Sequence, residues 1–209
     1  MKNKLLLIVI ALIIISANVK AQKEANNWYF GNGAGLDFTS GSPVSVGGGQ
    51  VFTTEGSASV SDGAGNLLFY TDGITVWNAN HIAMPNGTGL TGNGSSTQSA
   101  MIVRKPGSAN LYYVFTTDAS GGPFNYSIVD MTLAGGLGDV TIKNSTLHPN
   151  SSERSAAVRM PNGTDFWIIG HESNGNNFFA YQLTAAGLNS VPVISSIGVL
   201  QRSEEHTSE

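Results

Sequence analysis

Thr54-Glu55-Gly56-Ser57-Ala58-Ser59-Val60, Ser96-Thr97-Gln98-Ser99-Ala100-Met101-Ile102 and Ser152-Glu153-Arg154-Ser155-Ala156-Ala157-Val158 are three copies of one pattern, [ST]-[ET]-x-S-A-x-[VI]. Internal repetition is the first feature to look for, because it dictates an architecture rather than a single element. Each copy is followed by an apolar, aromatic-rich run: Leu67-Leu68-Phe69-Tyr70, Leu111-Tyr112-Tyr113-Val114-Phe115 and Phe166-Trp167-Ile168-Ile169. The gaps carry turn residues, Asp62-Gly63-Ala64-Gly65-Asn66, Pro106-Gly107-Ser108-Ala109-Asn110 and Pro161-Asn162-Gly163. Gly, Asn, Asp and Pro supply the backbone conformations that tight reversals require, so opening and aromatic run read as a hairpin.

A third strand follows in every unit: Ile74-Thr75-Val76-Trp77 after Thr71-Asp72-Gly73, Tyr126-Ser127-Ile128-Val129, and Phe178-Phe179-Ala180-Tyr181-Gln182-Leu183. A fourth is expected in the later units, from Asp139 to Thr146 and from Val191 to Ile197. The unit starts at Ser57, Ser99 and Ser155 lie 42 and then 56 residues apart, a period at which four short antiparallel strands read as a propeller blade. The fold expected is therefore all-β, an incomplete β-propeller of about three four-stranded blades. The small Ser-Ala openings suit innermost strands, and the aromatic runs suit middle strands covered on both faces. A β-sandwich is the alternative. Upstream, Asn27-Trp28-Tyr29-Phe30-Gly31-Asn32-Gly33-Ala34-Gly35-Leu36-Asp37-Phe38 reads as a hairpin, the outer strands of a partial N-terminal blade.

Beyond the repeats lie two unlike ends. Met1-Lys2-Asn3-Lys4, an apolar run from Leu5 to Ile15 and the small residues up to Ala21 predict a signal-peptide helix over residues 1–21, cleaved before Gln22. The apolar stretch is short against the ~20 residues that span a bilayer, so no membrane span is expected after cleavage. Arg202-Ser203-Glu204-Glu205-His206-Thr207-Ser208-Glu209 matches the in-frame translation of a common short-read sequencing adapter. Residues 22–201 are accordingly expected to be a partial propeller, an N-terminal fragment of a larger protein with open blade faces and edge strands.

Charge narrows the function classes. Net charge is −4 over 209 residues, and between the two ends the basic residues are Lys23, Arg104, Lys105, Lys143, Arg154 and Arg159. They form no stripe in the sequence that would neutralise a run of phosphates, so nucleic acid is not an expected partner. Cysteine is absent, which leaves burial rather than disulfides to hold an exported chain together.

Acidic and imidazole groups follow several strands: Asp72, Asp118, His81, and His171 with Glu172. Paired carboxylates at a propeller mouth would suit glycoside hydrolysis. Asp72-Gly73 and Asp118 before Ala-Ser-Gly-Gly fit turn geometry better. No catalytic residue, cofactor or dedicated metal site is expected. Glu55, Thr97, Gln98, Glu153 and Arg154, at the repeat openings, are the candidate binding residues, placed to form a polar ring around the axis. The same groups also suit the plainer role of hydrogen-bonding neighbouring blades together.

Several stretches resemble a group of large exported proteins of the Bacteroidota: Asn27–Phe38, the Gly65–Asn78 run G-N-L-L-F-Y-T-D-G-I-T-V-W-N, Ser95–Ala100, Ser152–Arg154 and Asp165–Glu172. The resemblance covers nearly all of residues 28–198. It implies an N-terminal propeller-like region, adhesion modules such as polycystic-kidney-disease-type domains, and a C-terminal type IX secretion sorting domain, often labelled gliding-motility-associated. By that implication the chain uses Sec and type IX machinery and is secreted or displayed on the outer cell surface. The expected role is non-catalytic adhesion or recognition of glycan or protein; a glycan-active hydrolase on a propeller is the alternative.

Overall fold

The computed structural model describes residues 23–119 and 121–198. The expected signal peptide, and the tail Arg202–Glu209, lie outside the described residues. Within them the chain is all-β, and the only helical turn is a short 3-10 segment at Ala134–Gly136.

Sixteen strands form four antiparallel sheets, each built from consecutive strands. The first contains β1 (Asn27–Phe30), β2 (Ala34–Asp37) and β3 (Val44–Val46). The second contains β4 (Ala58–Ser61), β5 (Leu67–Thr71), β6 (Thr75–Asn78) and β7 (Ala83–Thr88). The third follows with β8 (Ala100–Arg104), β9 (Leu111–Thr117), β10 (Phe124–Asp130) and β11 (Asp139–His148). The fourth runs β12 (Ser151–Arg159), β13 (Phe166–Glu172), β14 (Asn177–Thr184), with β15 (Gly187–Leu188) and β16 (Val193–Ser196) both on β14.

Each repeat thus maps onto one sheet: opening on the first strand, aromatic run on the second. The sheets lie against one another in chain order. First strand meets first strand, with β1 against β4, β4 against β8 and β8 against β12, while at the far side β7 meets β11. Three cores fill the gaps between sheets. Tyr29, Val51 and Tyr70 join the first and second; Phe69, Val76, Tyr112 and Val114 join the second and third; Tyr113, Phe115, Ile168, Phe179 and Tyr181 join the third and fourth.

The aromatic runs are explained by this layering. Successive side chains of a strand point to opposite faces. In β9, Tyr112 and Val114 enter one core while Tyr113 and Phe115 enter the next. In β5, Phe69 and Tyr70 divide in the same way. A strand covered on both sides has no polar face, so its sequence becomes continuously apolar.

Three details depart from the sequence reading. The second sheet has a fourth strand, β7, although Pro85 and Gly87 interrupt its sequence. It is an edge strand, where the missing proline N–H leaves no ladder bond unmade. The fourth sheet has its last position divided: Leu188 pairs with Leu183, and Val193–Ser196 pair with the opposite half of β14. Pro192 lies at the break, where a continuous ladder would need an N–H that proline lacks. Finally, the N-terminal hairpin sits beside the opening strands rather than at the outside, because β1 runs along β4. Asn27 Nδ2 donates to Ser61 Oγ (3.0 Å), and Tyr29 N donates to Ser59 Oγ (2.8 Å).

Candidate functional site

The repeated serine is a fastener between sheets. Ser57 Oγ donates to the carbonyl of Tyr29 (3.1 Å), in the preceding sheet. Ser99 Oγ donates to the carbonyl of Asp72 (2.5 Å), again in the preceding sheet, and accepts from Asn93 N (3.1 Å). In the third copy the backbone does the same, Ser155 N donating to Gln98 Oε1 (2.8 Å). Buried backbone carbonyls and amides require partners, and a hydroxyl is the smallest side chain that supplies both functions. Space is tight around it. A Cβ on Gly56 would stand 2.3 Å from Ser99 N, and one on Gly73 (φ +88°) would stand 2.1 Å from Ser99 Oγ. Glycine is the residue that fits both places.

The candidate binding residues gather at the start of the first strands. Glu153 Oε2 accepts from Thr97 N (2.8 Å) and from Thr97 Oγ1 (3.2 Å). Gln98 returns the contact through its amide oxygen to Ser155 N. Thr117 Oγ1 lies between them, 2.7 Å from the carbonyl of Gln98 and 3.3 Å from that of Glu153. Thr97, Gln98 and Glu153 therefore form one seam across the third and fourth sheets. Glu55 precedes β4, its N–H turned to Thr53 Oγ1 (3.4 Å), and the neighbouring Gly56 N reaches the carbonyl of Ser96 (3.1 Å). Arg154 follows Glu153 on β12 and is exposed.

Among the acidic residues at strand ends, Asp72 and Glu172 are occupied by their own turns and Asp118 by a neighbouring loop. Asp72 Oδ1 accepts from Ile74 N and Thr75 N, both 2.8 Å. Glu172 Oε2 accepts from Asn177 Nδ2 (2.7 Å), and Asp118 Oδ1 from Asn93 Nδ2 (3.1 Å). His81 Nδ1 is 3.0 Å from the Tyr70 hydroxyl, and His171 is buried edge-on against Phe178, with ring centroids 4.4 Å apart. Among the described residues no three His, Asp or Glu side chains are grouped to hold a metal ion.

No family model, curated protein or solved structure is significantly similar to the chain.

At the opposite end of the same strands the structure holds a cavity of about 790 Å³ that the repeat pattern does not announce. Arg104, Lys105 and Arg159 line it, together with Glu24, Tyr112 and Phe166. One signal for it exists in the sequence. Arg104 and Arg159 each terminate the first strand of a repeat, β8 and β12, five and four residues beyond the repeated serine.

Proposed function

We propose that the four sheets are blades of a β-propeller and that the chain is a non-catalytic recognition module, secreted or held at the outer cell surface, for a glycan or protein ligand. The supporting observation is the order of the stack: each sheet is a meander of consecutive strands, and each first strand lies beside the next. Radial repetition of this kind brings first strands together around an axis. Glu55, Thr97, Gln98, Glu153 and Arg154 then surround one mouth of that axis. Export through Sec and type IX machinery, and kinship with the exported Bacteroidota proteins, belong to the same proposal and rest on the sequence resemblance.

The strand-end carboxylates engaged in turn hydrogen bonds favour binding over catalysis, since a general acid or nucleophile has to present its oxygens to substrate. Screening the purified chain against an array of polysaccharides, for retention and for release of reducing ends, tests the proposal. Retention without turnover is the expected result. Turnover that disappears in Glu55→Gln or Glu153→Gln would establish the hydrolase instead.

A further inference from the structure

The cavity at the far end of the first strands has a chemistry at odds with the rest of the chain. The whole sequence carries a net charge of −4, yet Arg104, Lys105 and Arg159 converge on one space opposed by the lining carboxylate of Glu24. Arg104 and Lys105 come from one repeat and Arg159 from the next, and it is the packing of β8 beside β12 that unites them. Two nearby acids are committed elsewhere: Asp62 accepts from Ala64 N and Asn66 within its turn, and Asp165 accepts from Asn162 Nδ2. Among the described residues neither Lys105 nor Arg159 has an ion-pair partner. Arg159 instead lies over the Phe166 ring, 5.5 Å from its centroid.

Glu24 qualifies what the cavity accepts. Its Oε1 is 4.0 Å from Arg104 Nη1, while its Oε2 is buried and has no hydrogen-bond partner. The carbonyl of Glu24 accepts from Ser61 N (2.8 Å), which fixes the segment against the end of β4. Closed off by burial, Oε2 is out of a ligand's reach; the acceptor that Glu24 offers is Oε1, whose 4.0 Å approach to Arg104 is an ion pair and leaves it open to a hydrogen-bond donor. Sulfate and chloride have no donor to give. A ligand suited to the whole lining therefore carries both a negative charge for the three cations and hydroxyl donors for Glu24. The volume of about 790 Å³ falls within the ~300–1,000 Å³ range of small-molecule sites.

We propose that this cavity binds an acidic saccharide, its carboxylate or sulfate held by Arg104, Lys105 and Arg159 and one of its hydroxyls donated to Glu24 Oε1. Arginine suits the anionic group because its planar fork binds two oxygens at once. The site is separate from the Thr97–Glu153 seam and does not depend on whether the sheets close into a propeller.

Isothermal titration of the purified chain with tri-galacturonate and with a sulfated disaccharide tests it. A tri-glutamate peptide and the methyl-esterified, neutral trisaccharide serve as comparators. At least one acidic sugar should bind, with an affinity that falls as salt is added. Lys105→Gln and Arg159→Gln should each weaken it at least tenfold, and Glu24→Gln should weaken it too, with circular dichroism confirming the fold of each variant. Absence of binding by both acidic sugars would overturn the assignment. So would equal binding of the neutral ester, tighter binding of the peptide, or indifference to both cation substitutions.

Discussion

Tyr181 shows how a single buried side chain sets a pH limit. It has no exposed surface, and its hydroxyl donates to the carbonyl of Leu147 (2.7 Å), tying β14 to β11 across the core between the third and fourth sheets. Burial disfavours the phenolate and raises the hydroxyl from the usual 10.0 to about 12. The unfolded chain therefore releases this proton at a lower pH than the native one. Its contribution to stability is intact below about pH 10 and is lost as the pH climbs through 12. Urea titrations at a series of pH values should show a decline over that window. Tyr181→Phe should make the decline shallower, while costing about 1 kcal/mol at neutral pH for the lost hydrogen bond. Tyr29, Tyr70, Tyr112 and Tyr113 are also raised, each chiefly by burial, so some alkaline loss should remain in the variant.

At the scale of the element, first strands are fixed by what they touch in the preceding sheet. Ser99→Ala should leave the Asp72 carbonyl and the Asn93 amide without their partner and cost about 1–3 kcal/mol, read as a lower urea midpoint. Gly73→Ala should be worse, since its Cβ would collide with the same serine and its positive φ disfavours any side chain. Most strands were legible in the sequence for a plain reason. Strands such as β5 and β9, with a neighbouring sheet on either face, become long apolar runs that stand out between turns. Strand β7 was hidden, because an edge tolerates Pro85 and Gly87 that look like breakers. The divided last position of the fourth sheet and the place of the N-terminal hairpin depend on contacts between distant segments, which leave no local pattern. The candidate site divides likewise. Thr97, Gln98 and Glu153 were marked by the repeat itself, whereas the basic cavity leaves a fainter trace, since Arg104 and Arg159 end their first strands at unequal distances from the repeated serine.

Taken whole, the molecule is a row of four layers whose two end faces have no protein layer over them among the described residues. Trp28 and Phe30 stand out from the first sheet at 49% and 38% exposure, and Val158, Phe178 and Val193 from the fourth at 48%, 40% and 57%. Apolar faces of this kind favour self-association. Sedimentation velocity of the purified chain should reveal concentration-dependent species, and Phe30→Glu with Val193→Glu should shift the distribution toward monomer. The row also has a consequence for motion. Each core is shared by only two adjacent sheets, so an end layer detaches by giving up one core, while an inner layer cannot leave without opening two. Rigidity is thus graded along the chain. The second and third sheets form a stiff middle, and the molecule breathes from its ends inward.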